Sequence, residues 1–151
     1  MAMLDRELPP EKVWPHFFPE NCPPNDATEP CGEYWRIVKH DPPSPQDFEP
    51  LCIANPRRQY SDDLNDRYGA SPRCLASGVS LLKTIEEARN VARAIPAKRT
   101  GMLAKGTLEP DMGRLKHTPT NKNKGHHTLW LWDGVDPSSS FTVVENLGSG
   151  D

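Results

Sequence analysis

The stretch from Ser77 to Leu108 constrains the fold more than any other part of the sequence, because it predicts a strand, a capped helix and a second strand. Thr84 stands at the expected N-cap, and Glu87 has the spacing of a capping box. Apolar residues then recur at helical spacing until Pro96 ends the helix. We therefore predict a helix from Thr84 to Ile95. Its apolar face consists of Ile85, Ala88, Val91, Ala92 and Ile95.

Period-two alternation and β-propensity predict strands before, beside and after this helix. The predicted strands are Tyr34 to Val38, Val79 to Leu82, Met102 to Leu108, Leu129 to Trp132 and Phe141 to Glu145. Gly106, inside one of them, predicts a bulge or a close backbone approach. This order indicates an α+β fold: a mostly antiparallel, twisted sheet with one principal helix.

Prolines dominate the first half of the chain, which carries most of the 17 in the sequence. Such a segment cannot form long helices or central strands. Because Trp14, Phe17 and Phe18 lie close together in it, we predict that it wraps the core rather than staying disordered. The expected organisation is an N-terminal arm over residues 1–33, a single α+β domain over 34–147 and a tail over 148–151.

Charge and hydropathy exclude several classes of protein. The net charge of -3 does not predict binding to nucleic acid, and no apolar run approaches the ~20 residues of a membrane span. The start of the sequence lacks a signal-peptide pattern, so we predict a cytoplasmic protein. The four cysteines form no C-x-x-C pair. We therefore expect them to be reduced, and we expect no metal site.

Two adjacent histidines, His126 and His127, follow a polar loop and precede a predicted strand. Side chains alternate along a strand, so one ring should point inward and the other outward. One of them could then serve a pocket as an acid-base or hydrogen-bonding group. We take His127 as a catalytic candidate and His126 as a ligand-binding candidate. A purely structural hydrogen bond and an exposed ring remain the alternative.

Polar residues on three predicted strands form a second candidate set. Arg36 lies on an apolar strand, where it is either a solvent-facing edge residue or a fork for phosphate or carboxylate. Ser77 and Ser80 lie at the central strand, and Glu145 lies on the last one. Each also has an ordinary structural explanation: Ser77 belongs to a turn, Ser80 alternates outward and Glu145 lies at an exposed strand end.

The order arginine, serine, glutamate on early, central and late strands resembles the ADP-ribosyltransferase-like fold. The strand, helix and strand around Glu86-Glu87-Ala88 are also similar to the central unit of that family. The resemblance implies that Arg36 and Ser77 or Ser80 help to hold NAD. It also implies that Glu145 orients the ribose and stabilises the developing cation, with Ser80 beside it. Val143 occupies the position of a second acid in the family, so NAD glycohydrolysis or binding alone stays open beside transfer.

Two functional hypotheses from different classes follow. The first is an NAD-processing protein, ADP-ribosyltransferase-like or an NAD glycohydrolase, with a nucleotide as its partner. The second is a non-catalytic cytoplasmic protein-interaction module, such as an immunity or antitoxin-like protein. The acidic balance, the proline-rich arm and tryptophans expected at the surface favour this second hypothesis.

Overall fold

The computed structural model of the chain describes residues 12–63 and 68–149. Its strands are β1 (Gly32–Val38), β2 (Val79–Leu81), β3 (Met102–Leu108), β4 (Gly113–His117), β5 (His127–Leu131) and β6 (Phe141–Asn146). Its α-helices are α1 (Leu51–Ala54), α2 (Pro72–Ala76) and α3 (Ile85–Ala94). No helix in the two described ranges has the length and apolar character needed to cross a membrane.

The strands form two small antiparallel sheets, which confirms the α+β class. One sheet has the order β1-β3-β6 and the other the order β2-β5-β4. The sequence predicted one sheet, and the difference arises between β1 and β2. These two strands meet only through an isolated bridge between Trp35 and Leu82, with backbone N–H···O distances of 2.8 and 2.9 Å.

The main core lies between the two sheets and takes side chains from both. Buried residues of β1 and β3 face those of β2 and β5, and Phe48 and Phe141 close one end with ring centroids 4.8 Å apart. The members from the strands include Tyr34, Val38, Val79, Leu81, Ala104, Leu108, Leu115 and Leu129. Alternation buries one face of β2 in this core, whereas β5 is buried on both faces.

Gly106 in β3 permits the ring of Phe141 to approach the backbone closely, as a glycine inside a strand predicted. A Cβ atom at this position would lie 2.5 Å from the ring of Phe141. The irregularity of β3 falls elsewhere, between Leu103 and Ala104, where its register with β6 shifts. A bulge and a close approach are thus both present in β3, but at different residues.

Helix α3 begins with the predicted capping box. The hydroxyl of Thr84 accepts from the backbone N–H of Glu87, and the Glu87 carboxylate accepts from the N–H of Thr84. Ala88 and Ala92 are fully buried, and Ala88 packs in a cluster with Leu82 and Leu103 on the outer side of the first sheet. The predicted apolar face is confirmed, except that Ile95 at its end is 39% exposed.

The proline-rich arm packs against the second sheet, as predicted. The rings of Trp14 and Trp132 stack with centroids 3.7 Å apart, and Phe18 continues the stack. Behind them Trp130 is completely buried and donates from Nε1 to the carbonyl of Cys74. The expectation of surface-exposed tryptophans is therefore wrong for Trp130.

A disulfide joins the arm to helix α2, and the expectation of four reduced cysteines is wrong. Cys22 and Cys74 are bonded across a sequence separation of 52 residues. Cys31 and Cys52 are free, and Cys31 is exposed. The spacing of cysteines carried no sign of this pair, because only the folded arm brings them together.

Replacing Cys22 with Ser should lower the free energy of unfolding by about 2–4 kcal/mol, because the loop that the bond closes in the unfolded chain is long. Urea denaturation of the purified protein measures the loss. The control is Cys31→Ser, which removes an exposed free thiol and should leave stability unchanged. Four reactive thiols in the denatured, unreduced protein would contradict the pairing.

Replacing Ala88 with Asp should unfold the protein or cost several kcal/mol, because a carboxylate would be buried without a partner under α3. The matched control is Asn90→Asp, an exposed position on the same helix. Circular-dichroism melts of both variants test the placement of the helix face. Equal melting temperatures for the two variants would show that this face is not buried.

Candidate functional site

The site begins where β1 and β2 separate beyond the Trp35–Leu82 bridge. Arg36 follows Trp35, and its side chain enters the gap that the diverging strands leave. Its Nη1 donates to the carbonyl of Ser80 at 2.9 Å, and its Nε donates to the carbonyl of Asp47 at 2.9 Å. The guanidinium thus satisfies a carbonyl of β2 that a neighbouring strand would otherwise satisfy.

A tight turn after β1 supports Arg36. Ser44 occupies the N-cap position of the short 3₁₀ turn Pro45–Phe48, as the sequence predicted, but its hydroxyl makes no capping hydrogen bond, and the Asp47 carboxylate accepts from the Ser44 N–H instead. The Asp47 carboxylate accepts from the backbone N–H groups of Ser44 and Lys39 at 2.9 and 2.8 Å. Burial opposes ionisation of Asp47, but these hydrogen bonds outweigh it and hold its pKa below the ordinary value. Its oxygens are therefore largely occupied within the turn.

A cavity of about 210 Å³ opens beside Arg36. Polar side chains and apolar side chains from β1 and α3 both line it. The lining residues are Trp35, Arg36, Ile37, Ser80, Leu82, Val91, Ile95, Lys98, Asn123 and His126. The structure thus brings together Arg36, Ser80 and His126, three of the six residues that the sequence predicted.

The cavity is positively charged. Burial lowers the pKa of Arg36 to about 10, while nearby Asp47 opposes the shift, so Arg36 is a cation at neutral pH. Burial also lowers the pKa of Lys98, and the charges of Arg36 and Lys39 add to that effect. No carboxylate lines this cavity, and within the described ranges Lys98 forms no ion pair.

His126 presents one ring nitrogen to the protein and keeps the other free. Its Nδ1 lies 2.9 Å from the carbonyl of Thr118, which can only accept a hydrogen bond. Among the residues described, Nε2 of His126 has no partner. Burial lowers the pKa of His126 below its ordinary value, although the bond to Thr118 opposes this. The ring is therefore neutral near pH 7.

Two further polar side chains reach the cavity without a partner of their own. The hydroxyl of Ser80 and the side-chain amide of Asn123 make no hydrogen bond within residues 12–63 and 68–149. Asn123 lies in a turn held by Thr120, whose hydroxyl accepts from the Asn123 N–H at 2.9 Å. These groups are free to bind a ligand.

Glu145 lies away from the cavity. Its carboxylate receives a two-point hydrogen bond from Arg89, with distances of 2.7 and 3.1 Å, and these bonds lower the pKa of Glu145. Arg89 and Val91 are two positions apart on α3, so they project about 160° apart around the helix. Since Val91 lines the cavity, Glu145 occupies the opposite flank of α3.

Ser77 and His127 also lie outside the cavity lining. Ser77 is buried, and its hydroxyl donates to the carbonyl of Arg73 at the end of α2. The ring of His127 stacks on that of His117 and meets Tyr34 edge-on, both at 4.8 Å between centroids. Burial lowers the pKa of His127. The two adjacent histidines have different neighbours, but both are half-buried, so one ring inward and one outward stays a prediction.

Sequence reasoning missed Lys98 and Asn123. Lys98 follows the proline that ends α3, where a basic residue is ordinary at a helix C-terminus. Asn123 lies in the polar segment from Thr120 to Gly125, whose composition indicates only a surface loop. No pattern in the sequence assigns either residue to a cavity.

Comparisons with protein-family models, with curated proteins and with solved structures found no match to this chain. Among the residues described, no three His, Cys, Asp or Glu side chains come close enough together to hold a metal ion.

The lowered pKa of His126 predicts how stability depends on pH. Because the unfolded chain binds this proton more readily, the stabilising contribution is present above the ordinary histidine pKa of about 6.5. It is lost as the pH falls through that value toward the folded pKa. Urea denaturation between pH 7.5 and 5 should show this loss, and His126→Asn should reduce the slope. Greater stability at pH 5 than at pH 7.5 would contradict the buried neutral ring.

Proposed function

We propose that this protein binds a nucleotide of the NAD class, with phosphate groups in the cavity beside Arg36. The observation that carries the proposal is the meeting of two cations, Arg36 and Lys98, in a cavity that no carboxylate lines. Ser80, Asn123 and His126 add hydrogen-bonding groups to the same wall. The ligand best suited to this arrangement is a phosphate ester.

The two positive charges of the cavity favour an anionic ligand. A half-buried guanidinium and ammonium repel one another, and bringing them together costs free energy unless an anion joins them. Arginine and lysine donors at one point are a usual arrangement for phosphate, which accepts several charge-assisted hydrogen bonds. Arg36 keeps one terminal nitrogen, Nη2, available after its bonds to the two carbonyls.

The apolar wall suits the rest of such a ligand. Trp35, Ile37 and Ile95 also line the cavity, and Trp35 and Ile37 pack in one apolar cluster with Ala88 and Val91 of α3. The volume of about 210 Å³ is below the usual range for a complete drug-sized ligand. We therefore expect the cavity to hold one sugar-phosphate unit while the remainder extends along the surface.

The cavity supports binding more directly than cleavage. Release of nicotinamide from NAD builds positive charge on the ribose, and a fixed anion stabilises that transition state. Glu145 is the acid that the resemblance assigns to this role, but it pairs with Arg89 on the far flank of α3. NAD processing is thus a separate hypothesis within the proposal, and release of free nicotinamide measures it.

The compartment stays a prediction. A cytoplasmic location follows from the sequence, whereas the Cys22–Cys74 disulfide is of a kind that persists mainly in oxidising compartments. The disulfide therefore weighs against the cytoplasm. Counting free thiols in the protein taken from its native compartment would decide between them.

Lys98→Met should weaken NAD binding about 10-fold, because it removes one charge-assisted contact with phosphate. The control is Lys12→Met, which removes an exposed lysine from the arm on the other sheet. Saturation-transfer NMR and calorimetric titration with NAD measure binding, and free nicotinamide is followed in the same samples.

The outcomes separate the hypotheses. Binding that is equally strong in the Lys98 and Lys12 variants would place NAD elsewhere and contradict the cavity. Absence of binding by the unaltered protein would reject the nucleotide and leave the protein-interaction module as the hypothesis to test. Nicotinamide release that Glu145→Gln abolishes would assign Glu145 to the reaction.

A further inference from the structure

We propose that His126 determines specificity in this cavity: its Nε2 accepts a hydrogen bond from a sugar hydroxyl of the ligand whose phosphate Arg36 and Lys98 bind. The inference rests on the proposed nucleotide-binding function and names the ligand unit more closely, as a ribose phosphate. In this role His126 acts as a neutral hydrogen-bond acceptor, not as a charged or catalytic group.

The hydrogen bonds of the ring decide which nitrogen accepts. The carbonyl of Thr118 cannot donate, and the Thr118 hydroxyl has the Thr128 hydroxyl as a partner for its own hydrogen. We therefore assign the hydrogen of the neutral imidazole to Nδ1, which donates to the carbonyl. Nε2 then carries a lone pair and no hydrogen. In this state the nitrogen that is free of protein contacts can only accept a hydrogen bond.

Two buried threonines hold the ring in this orientation. Thr118 and Thr128 are both 2% exposed, and their hydroxyl oxygens lie 2.8 Å apart. The Thr118 hydroxyl also lies 3.0 Å from Nδ1 of His126. A ring flip would place Cδ2 instead of Nδ1 opposite the Thr118 carbonyl and lose that bond, so Nε2 stays directed away from Thr118.

The charged groups around His126 do not restore its proton near pH 7. Arg36 on β1 and His117 on β4 lower its pKa, Glu87 on α3 raises it, and burial is the largest effect. The net shift is downward. The acceptor state is therefore the one that a ligand meets at neutral pH.

The other polar groups of the cavity make the acceptor distinctive. Arg36 and Lys98 only donate, while the Ser80 hydroxyl and the Asn123 amide can donate or accept. His126 alone among the described lining residues offers a nitrogen that only accepts. A ligand with phosphate but no hydroxyl would leave that acceptor buried and unpaired, which a site built for a hydroxyl penalises.

The test compares ribose 5-phosphate with tetrahydrofurfuryl phosphate, which keeps the ring oxygen and the phosphate but lacks every hydroxyl. NMR titrations of the full chain at pH 7.5 give both dissociation constants. We expect ribose 5-phosphate to bind about 3- to 10-fold more tightly, the effect of one hydrogen bond. Equal affinities would overturn the inference.

Two variants separate the acceptor from the phosphate contact. His126→Phe keeps a ring of similar shape and should bring the two affinities together, whereas Lys98→Met should weaken both ligands and keep their ratio. A ratio that His126→Phe leaves unchanged in a folded protein would overturn the inference. Because the unaltered protein shows the preference by itself, the test does not depend on the stability of either variant.

The pH dependence supplies a readout that a structural role would not move. When the pH falls to 5, protonation of Nε2 adds a positive charge and removes the acceptor. Affinity for tetrahydrofurfuryl phosphate should then rise relative to ribose 5-phosphate, and the preference should shrink. A preference that grows on acidification would overturn the inference.

The inference and the proposed function can fail separately. NAD binding without any preference between the two phosphates would leave the proposed function standing, whereas absence of NAD binding would reject that function itself.

Discussion

The side chain of Arg36 lies between the two sheets where β1 and β2 diverge, and the rest of the site depends on its hydrogen bonds to both sides. Strands β1 and β2 are joined at Trp35 and Leu82 and then diverge. Arg36 bridges the divergence by donating to Ser80 on one side and to the turn at Asp47 on the other. A backbone ladder there would close the gap, whereas a guanidinium satisfies the same carbonyl and leaves a cavity.

Keeping a cation in that position has a cost in stability. A guanidinium held by carbonyl oxygens is only partly compensated, and Lys98 brings a second charge of the same sign. Unfavourable electrostatic arrangements of this kind are found mainly at sites of binding or catalysis. The turn Pro45–Phe48 reduces the cost through the buried carboxylate of Asp47, whose hydrogen bonds with Ser44 and Lys39 keep it ionised near Arg36.

Helix α3 separates the cavity beside Arg36 from the ion pair between Arg89 and Glu145. One flank carries Val91 and Ile95, which close the cavity, and the other carries Arg89, which binds Glu145. The order of arginine, serine and glutamate along the chain does not reveal this division, because residue order carries no information about the flank of a helix. The same helix also holds the loop of the cavity, since the carboxylate of Glu87 accepts from the N–H of Gly125 at 2.6 Å.

The sequence by itself determined the elements whose signals are local. The capping box at Thr84, the strand from Met102 to Leu108 and the short turn at Ser44 follow from spacing, alternation and capping chemistry, which act within a few residues. Three of the six predicted site residues, Arg36, Ser80 and His126, line the cavity, but alternation within one strand does not determine whether residues of different strands share a face.

The tertiary structure alone decided what depends on long-range packing. The split into two sheets, the Cys22–Cys74 disulfide and the cavity contacts of Lys98 and Asn123 join residues that are far apart in the chain. Strand pairing and cavity shape arise from the packing of whole faces, and one sequence does not encode that packing in any local pattern. For the same reason the opposite placement of Arg36 and Glu145 became visible only when α3 was packed on its sheet.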